Sequence, residues 1–236
     1  MPTSVSDRTG YWDRYAEGRS DHQASREEAL KGAFGWTQYP GHGPGDEILG
    51  HPATTLELGC GRGDAVAALA ARGVAATGLD LSPVHYARAR ERWRDLPCAQ
   101  FVHGDAMDYL TQTDKEWDAV YSIWGAVWFT DPGELLPRVH DRLAPGGRLV
   151  FAHAPAVPGA YGVQGMYGGG FTGRQVWIYR WAYEPDTWSS ILADHGFTDI
   201  HARVEPAPEP GLLGTLIVQS RKSRPHRMDD LTSSKV

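Results

Sequence analysis

The chain has 236 residues, enough for one sizeable domain with a well-buried core, and its 41% hydrophobic content fits a globular protein. A net charge of −6 argues against broad binding to nucleic-acid backbones, which needs a concentrated basic surface. No stretch approaches the roughly 18 apolar residues of a membrane span, the polar segment Met1–Arg19 lacks a signal-peptide core, and two cysteines make no disulfide framework, so a cytoplasmic protein is expected.

In chain order, Gly10–Ala16 and Ala24–Phe34 read as helices, and Tyr11, Trp12 and Tyr15 form a helical aromatic cluster suited to a lid. Pro40–Gly45 is a breaker-rich loop containing His42. Thr54–Leu58 then reads as a strand and Ala65–Ala71 as a helix, with Gly59, Gly61 and Gly63 on the turn between them. Glycines permit a sharp turn and close approach of a ligand to the main chain, and the amides that open the next helix suit an anion. The spacing is not that of the dinucleotide fingerprint, so the loop alone does not name its ligand. A second strand, Val74–Leu79, ends in Asp80, about twenty residues on, where a carboxylate holds a ribose diol in doubly wound folds. Ser82-Pro83 opens a helix that continues through Trp93. Further strands are expected at Ala99–Val102, Trp117–Ile123 and Gly147–Ala152, with a crossover helix over 133–143.

Glu57-Leu-Gly-Cys-Gly-Arg-Gly63, Gly78-Leu-Asp-Leu-Ser-Pro83, Gly104-Asp-Ala106 and Leu143-Ala-Pro-Gly-Gly147 follow one another in order. This set resembles the class I S-adenosylmethionine-dependent methyltransferases over residues 54–153. The resemblance implies a Rossmann-like α/β fold, with helices on both faces of a seven-stranded, mostly parallel sheet containing one antiparallel strand. It implies S-adenosyl-L-methionine as cofactor. Glu57, Gly59, Cys60, Gly61 and Gly63 would hold its amino-acid end, and Asp80 the ribose, with Leu81 near the adenine. Asp105 would accept from the adenine amine beside Ala106, and Ser122 would face the methionine moiety with Ile123 and Trp124. The expected organisation is a single domain over 1–221. It comprises an N-terminal helical cap (1–53), the cofactor core (54–153), an acceptor-side insertion (154–184) and a C-terminal helix and hairpin (185–221). A disordered tail is expected over 222–236.

The insertion is the least generic segment. The alternation of Trp177, Tyr179, Trp181 and Tyr183 places four rings on one face of a strand, read either as an aromatic face packed on the domain or as a flap over the acceptor. Trp124, Trp128, Phe129, Tyr161, Tyr167 and Trp177, with Tyr15 and His42, are expected to line the acceptor pocket, which points to a small aromatic or apolar molecule. His153, just after the fifth strand, is the candidate general base. The methylated atom is left open among oxygen, nitrogen and sulfur. Two alternatives are non-methyltransfer chemistry on the same cofactor and a non-catalytic binding module. No metal site is expected, because ligand spacings such as His-x-x-x-His are missing and Asp131 has no companion carboxylate. The chain is expected to act as a monomer or homodimer, with no nucleic-acid or membrane partner.

Overall fold

A computed structural model describes residues 5–18, 25–168 and 174–224. Helices α1 (Val5–Gly18) and α2 (Arg26–Lys31) precede the sheet. The sheet-building run is β1 (Thr54–Leu58), α3 (Asp64–Ala70), β2 (Ala75–Asp80), α4 (Pro83–Arg92), β3 (Ala99–His103), α5 (Ala106–Gln112) and β4 (Trp117–Ile123). It continues through the single turn α6 (Ala126–Phe129), α7 (Pro132–Arg142) and β5 (Leu143–His153). A hairpin of β6 (Gly162–Gly168) and β7 (Arg174–Ala182) follows, then α8 (Pro185–Asp194), β8 (Phe197–Glu205) and β9 (Thr215–Lys222).

Seven strands form one sheet in the order β3-β2-β1-β4-β5-β9-β8. β9 alone runs against its neighbours, pairing antiparallel with both β5 and β8. The expected fold class is therefore the observed one. The order reverses between β1 and β4, and the crevice at this switch point is where doubly wound sheets receive ligands. Both faces are buried, as parallel sheets require. Leu56, Leu58, Val120, Leu149, Phe151, Leu216 and Val218 pack on one side with α7 and α8. Ala119, Tyr121, Val150, Ala152 and Ile217 pack on the other with Val66, Leu69 and Trp36.

Local chemistry explains the helix starts. Ser82 accepts from the His85 amide, with Pro83 at the first helical position. Asp105 caps α5, and Asp131 caps α7 by accepting from Gly133. Asp131 is thus a capping residue, and no group of three or more potential metal ligands occurs among the described residues. Nor is any helix there long and apolar enough to cross a membrane. β9 runs one residue into the stretch expected to be a tail, and residues 225–236 lie outside the described residues.

The hairpin departs from the sequence reading. Ile178 and Ala182 are buried, so the face of β7 that packs on the domain is the one carrying 178, 180 and 182. Tyr179 and Trp181 point the other way. Period-two alternation identifies two faces but does not say which is covered, and here the face with Ile178 and Ala182 lies beneath the strand.

The glycine loop is held by close backbone packing. The Gly59 and Cys60 amides both donate to the Leu79 carbonyl, at 2.8 and 3.0 Å. Gly59 has φ +80°, and a Cβ there would lie 2.6 Å from the Ala126 nitrogen. Gly63 has φ +73°, and its Cβ would strike the Phe101 ring at 2.4 Å. Gly59→Ala is expected to cost at least about 1–3 kcal/mol through backbone strain, with further loss from the clash. Urea denaturation of the variant against the wild type checks this.

Candidate functional site

The carboxyl ends of β1, β2 and β4 open into a cavity of 870 Å³. Its lining includes Glu57, Gly59, Cys60, Gly61, Asp80, Leu81, Asp105 and Ala106, eight of the ten residues expected to hold the cofactor. α1 closes one side with Arg8, Trp12, Tyr15 and Ala16, and a second rim comes from Gly32 to Pro40. Trp124, Phe129 and Ile178 form the wall toward α6 and the hairpin.

Asp80 stands at the tip of β2, nearly buried. One carboxylate oxygen accepts from the Gly61 amide at 2.8 Å and the other from the Ser82 amide at 2.9 Å. These bonds fix the carboxylate and leave each oxygen a further lone pair for a ligand hydroxyl. Burial raises its pKa; the amides of Ser82 and Gly61 and the rings of His85 and His103 work against the rise. Glu57 lies deeper. Burial pushes its carboxyl well above the usual range, a hydrogen bond from the Tyr121 hydroxyl at 3.3 Å opposes this, and Asp64 and Asp80 add to the rise. Among the described residues no cation pairs with Glu57. Burial, Asp80 and Glu57 together keep the Cys60 thiol protonated, so it is no nucleophile.

A buried carboxylate without a cation, facing a cavity beside a glycine loop, fits a ligand with a cationic amino-acid end. A ribose diol fits Asp80. Gly61 has φ +53° and open space where a side chain would stand, so its main chain can be approached. The residues present therefore fit S-adenosylmethionine. Asp105 is more committed than the resemblance implies: one oxygen accepts from the Met107 amide at 2.8 Å and the other pairs with Arg8 of α1 at 3.1 Å.

Other expected residues are placed elsewhere. The Ser122 hydroxyl donates to the Leu58 carbonyl at 2.8 Å and accepts from the Val127 amide, so it clamps β1 to β4 and does not line the cavity. Gly63 is the residue before α3 and lies behind the lining. The ring of His42 turns outward and donates from Nε2 to the Pro206 carbonyl at 2.8 Å. Tyr161 is 47% exposed and donates to Glu184. Trp128 sits behind Trp124 and Phe129. Of the aromatic acceptor candidates, Tyr15, Trp124 and Phe129 line the cavity. The side chains of Tyr167 and Trp177 lie outside the described residues.

His153 is fully buried and is not part of the lining. Its ring stacks on Trp128, centroids 5.3 Å apart and planes 2° apart, and meets Trp188 edge-on at 5.7 Å. Nδ1 lies 2.8 Å from the Ala154 carbonyl, which can only accept, so Nδ1 carries the proton. Burial lowers the pKa to about 4; the Ala154 bond opposes the shift and Arg180 adds to it. A ring so walled in and so weakly basic is poorly placed to take a proton from a ligand.

Sequence reasoning missed Arg8, Gln38, Thr130 and Ile178. Trp12 and Phe129 meet edge to face at 4.7 Å across the cavity wall. Trp124 carried a signal only in its backbone: its φ is +54°, a strained value that turns the ring to donate from Nε1 to the Trp36 carbonyl at 2.9 Å.

His153 also makes a stability prediction. Unfolded, it takes up a proton near pH 6.5; folded, it resists until about 4. The unfolded state therefore binds more protons between these values, and stability rises with pH across that window. The full effect is about 3 kcal/mol. Urea unfolding from pH 4 to 7 is expected to show this slope in the wild type and to lose it in His153→Phe.

Residues 55–147 match the profile of a methyltransferase domain. A trans-aconitate 2-methyltransferase of Paracidovorax citrulli is 38% identical over 96 residues, 40% of this chain and 36% of that protein. A demethylmenaquinone methyltransferase of Clavibacter sepedonicus is 35% identical over 105 residues, 44% of this chain and 42% of that protein. The chain thus spans well under half the length of these curated relatives. The fold extends further. The 1,6-didemethyltoxoflavin-N1-methyltransferase of Burkholderia thailandensis, solved with 1,6-didemethyltoxoflavin and S-adenosylhomocysteine, superposes with a TM-score of 0.62 at 22% identity, over 93% of this chain and 88% of that one. With its ordered motifs and strand order, the chain carries a core over residues 55–147 that matches a methyltransferase domain, and it resembles the class I S-adenosylmethionine-dependent methyltransferases.

Proposed function

We propose that this protein transfers a methyl group from S-adenosylmethionine to a small molecule with an aromatic or apolar body. The observation that carries this reading is the composition of the 870 Å³ cavity just described. One half presents the glycine loop, Glu57, Asp80 and Asp105. The other presents Trp12, Tyr15, Trp124, Phe129 and Ile178. When bound, S-adenosylmethionine supplies a methyl group on a sulfonium, which already carries a good leaving group. The chain's own task is then to hold, align and dry the reactants.

Each part has a residue-level role. Glu57 balances positive charge at the amino-acid end, and Asp80 accepts from the ribose. α1 closes the cavity through the Arg8–Asp105 pair, the Ser82 hydroxyl donated to Asp13 at 2.5 Å, and Arg88 donated to the Ala16 carbonyl at 2.8 Å. The Trp12–Phe129 pair and Ile178 confine the acceptor and exclude water. His153 is assigned no proton transfer, so the acceptor's nucleophile enters already unprotonated or loses its proton to solvent. The named relatives act on trans-aconitate and demethylmenaquinone, and both names fit a standalone small-molecule enzyme. We further propose one domain over 1–221, with the hairpin region forming the acceptor-side wall through Ile178.

Incubation with S-adenosylmethionine and cell-extract metabolites, followed by mass spectrometry, is expected to show one compound gaining a single methyl group. No gain, with the cofactor bound, would point to different chemistry on the same cofactor. Asp80→Ala is expected to weaken S-adenosylmethionine binding by about 2–3 kcal/mol, the scale of hydrogen bonds to a charged group. Calorimetry checks this, and unchanged affinity would remove Asp80 from the ribose. Trp12→Ala and Phe129→Ala are expected to raise the acceptor KM while changing donor affinity little.

A further inference from the structure

Arg180 follows Ile178 by two residues in β7 and so shares the strand face that meets the cavity wall. It is half-buried. Its Nε donates to the Gln164 side chain at 3.1 Å, and its guanidinium carbon lies 5.4 Å from the centre of the Trp128 ring. Among the described residues no carboxylate pairs with it, whereas Arg8, Arg62 and Arg72 each have one. A guanidinium drawn partly out of water without a counter-charge is costly unless something else supplies the charge.

The ring beneath it is equally unfinished. The indole nitrogens of Trp128 and Trp188 and the Nε2 of His153 are buried and have no hydrogen-bond partner among the described residues. The three rings are in mutual contact through His153. Buried polar atoms are nearly always paired, so three orphans in one cluster call for an explanation. Two of the three are N–H donors. With the Arg180 fork, the cluster has the polarity of an anion site. It also adjoins the cavity: Trp128 lies 5.8 Å from Trp124 and 5.0 Å from Phe129, both of which line it.

We propose that Arg180 and the Trp128 indole N–H recognise a carboxylate on the acceptor, making it a small acid with an apolar or aromatic body. This deepens the methyltransfer reading of the same cavity and rests on it. A planar guanidinium edge matches a carboxylate in two parallel hydrogen bonds, and its position over Trp128 fixes the plane in which that group lies. The acid enters between Trp124, Phe129 and Ile178, and its charge selects it over neutral molecules of the same shape.

The test uses protein loaded with S-adenosylhomocysteine and labelled with nitrogen-15 in its tryptophan indoles, titrated with trans-cinnamate and with trans-cinnamamide. The Trp128 signal is assigned from Trp128→Phe. The expected result is that cinnamate shifts the Trp128 indole signal and binds at least about tenfold more tightly than the amide. Arg180→Met reduces cinnamate to the affinity of the amide, and Arg180→Lys, which keeps the charge but not the fork, falls between. Equal binding of acid and amide, an unmoved Trp128 signal, or an Arg180→Met variant that binds cinnamate like the wild type overturns the proposal. Binding of S-adenosylhomocysteine, measured first by calorimetry, separates the two claims. If it binds and the acid does not, the anion site fails alone; if it does not bind, the donor reading fails whatever the acid does.

Discussion

A carboxylate at the bottom of the cavity sets the terms for everything above it. Glu57 sits on β1 at 4% exposure, in a sheet buried on both faces, with Tyr121 as its hydrogen-bond donor. Isolated charge in such a place is disfavoured strongly enough that the group would rather hold a proton. Asp64 and Asp80 nearby make the local field more negative still. The cavity is therefore poised for a ligand that brings positive charge to its floor.

The same sheet edge explains why the loop geometry is so constrained. β1 and β4 are neighbours at the switch point, and the turns that follow them must pass within contact distance. Ser122 bridges to Leu58, and Gly125 leaves no room for a side chain, since a Cβ there would lie 2.5 Å from the Leu58 carbonyl. The positive φ of Trp124 is the result of the chain escaping this crowding, and it delivers the indole to the cavity wall. Strain stored beside a ligand site is thus a consequence of packing two loops at one crevice. By contrast, α1 is held to the body partly by polar tethers.

The cofactor half was legible in the sequence because it is built from backbone turns and strand tips. Gly59, Gly61 and Asp80 lie at positions where few other residues fit, so their identity reports their geometry. The strand order and helix caps were legible for the same reason: Ser82-Pro83 admits few local structures. The acceptor half was less so. Aromatic residues were counted as pocket walls because they follow the strands, yet Trp128 and Tyr161 stand outside the lining, whereas Phe129, one residue on from Trp128, is part of it. Around a single helical turn such as α6, adjacent side chains diverge by about 100°, and only tertiary packing decides which faces inward. Arg8 and Gln38 gave no signal, since polar residues outside a motif look alike in sequence.

His153 shows how position can mislead about chemistry. A histidine at the carboxyl end of a central strand stands where bases stand in this architecture, and sequence carries that much. What it does not carry is the direction of the ring. Here β5 continues one residue further than its apolar run suggests, and His153 pairs with Leu216 within the ladder. Its side chain is thereby committed to the face that carries Phe151, into the cluster with Trp128 and Trp188. A ring held among aromatics loses its solvent, and with it the basicity a proton acceptor needs. Its structural value is the opposite of a catalytic one: it is a flat, hydrogen-bonded plate stacked on Trp128, over whose ring the Arg180 guanidinium lies at 5.4 Å.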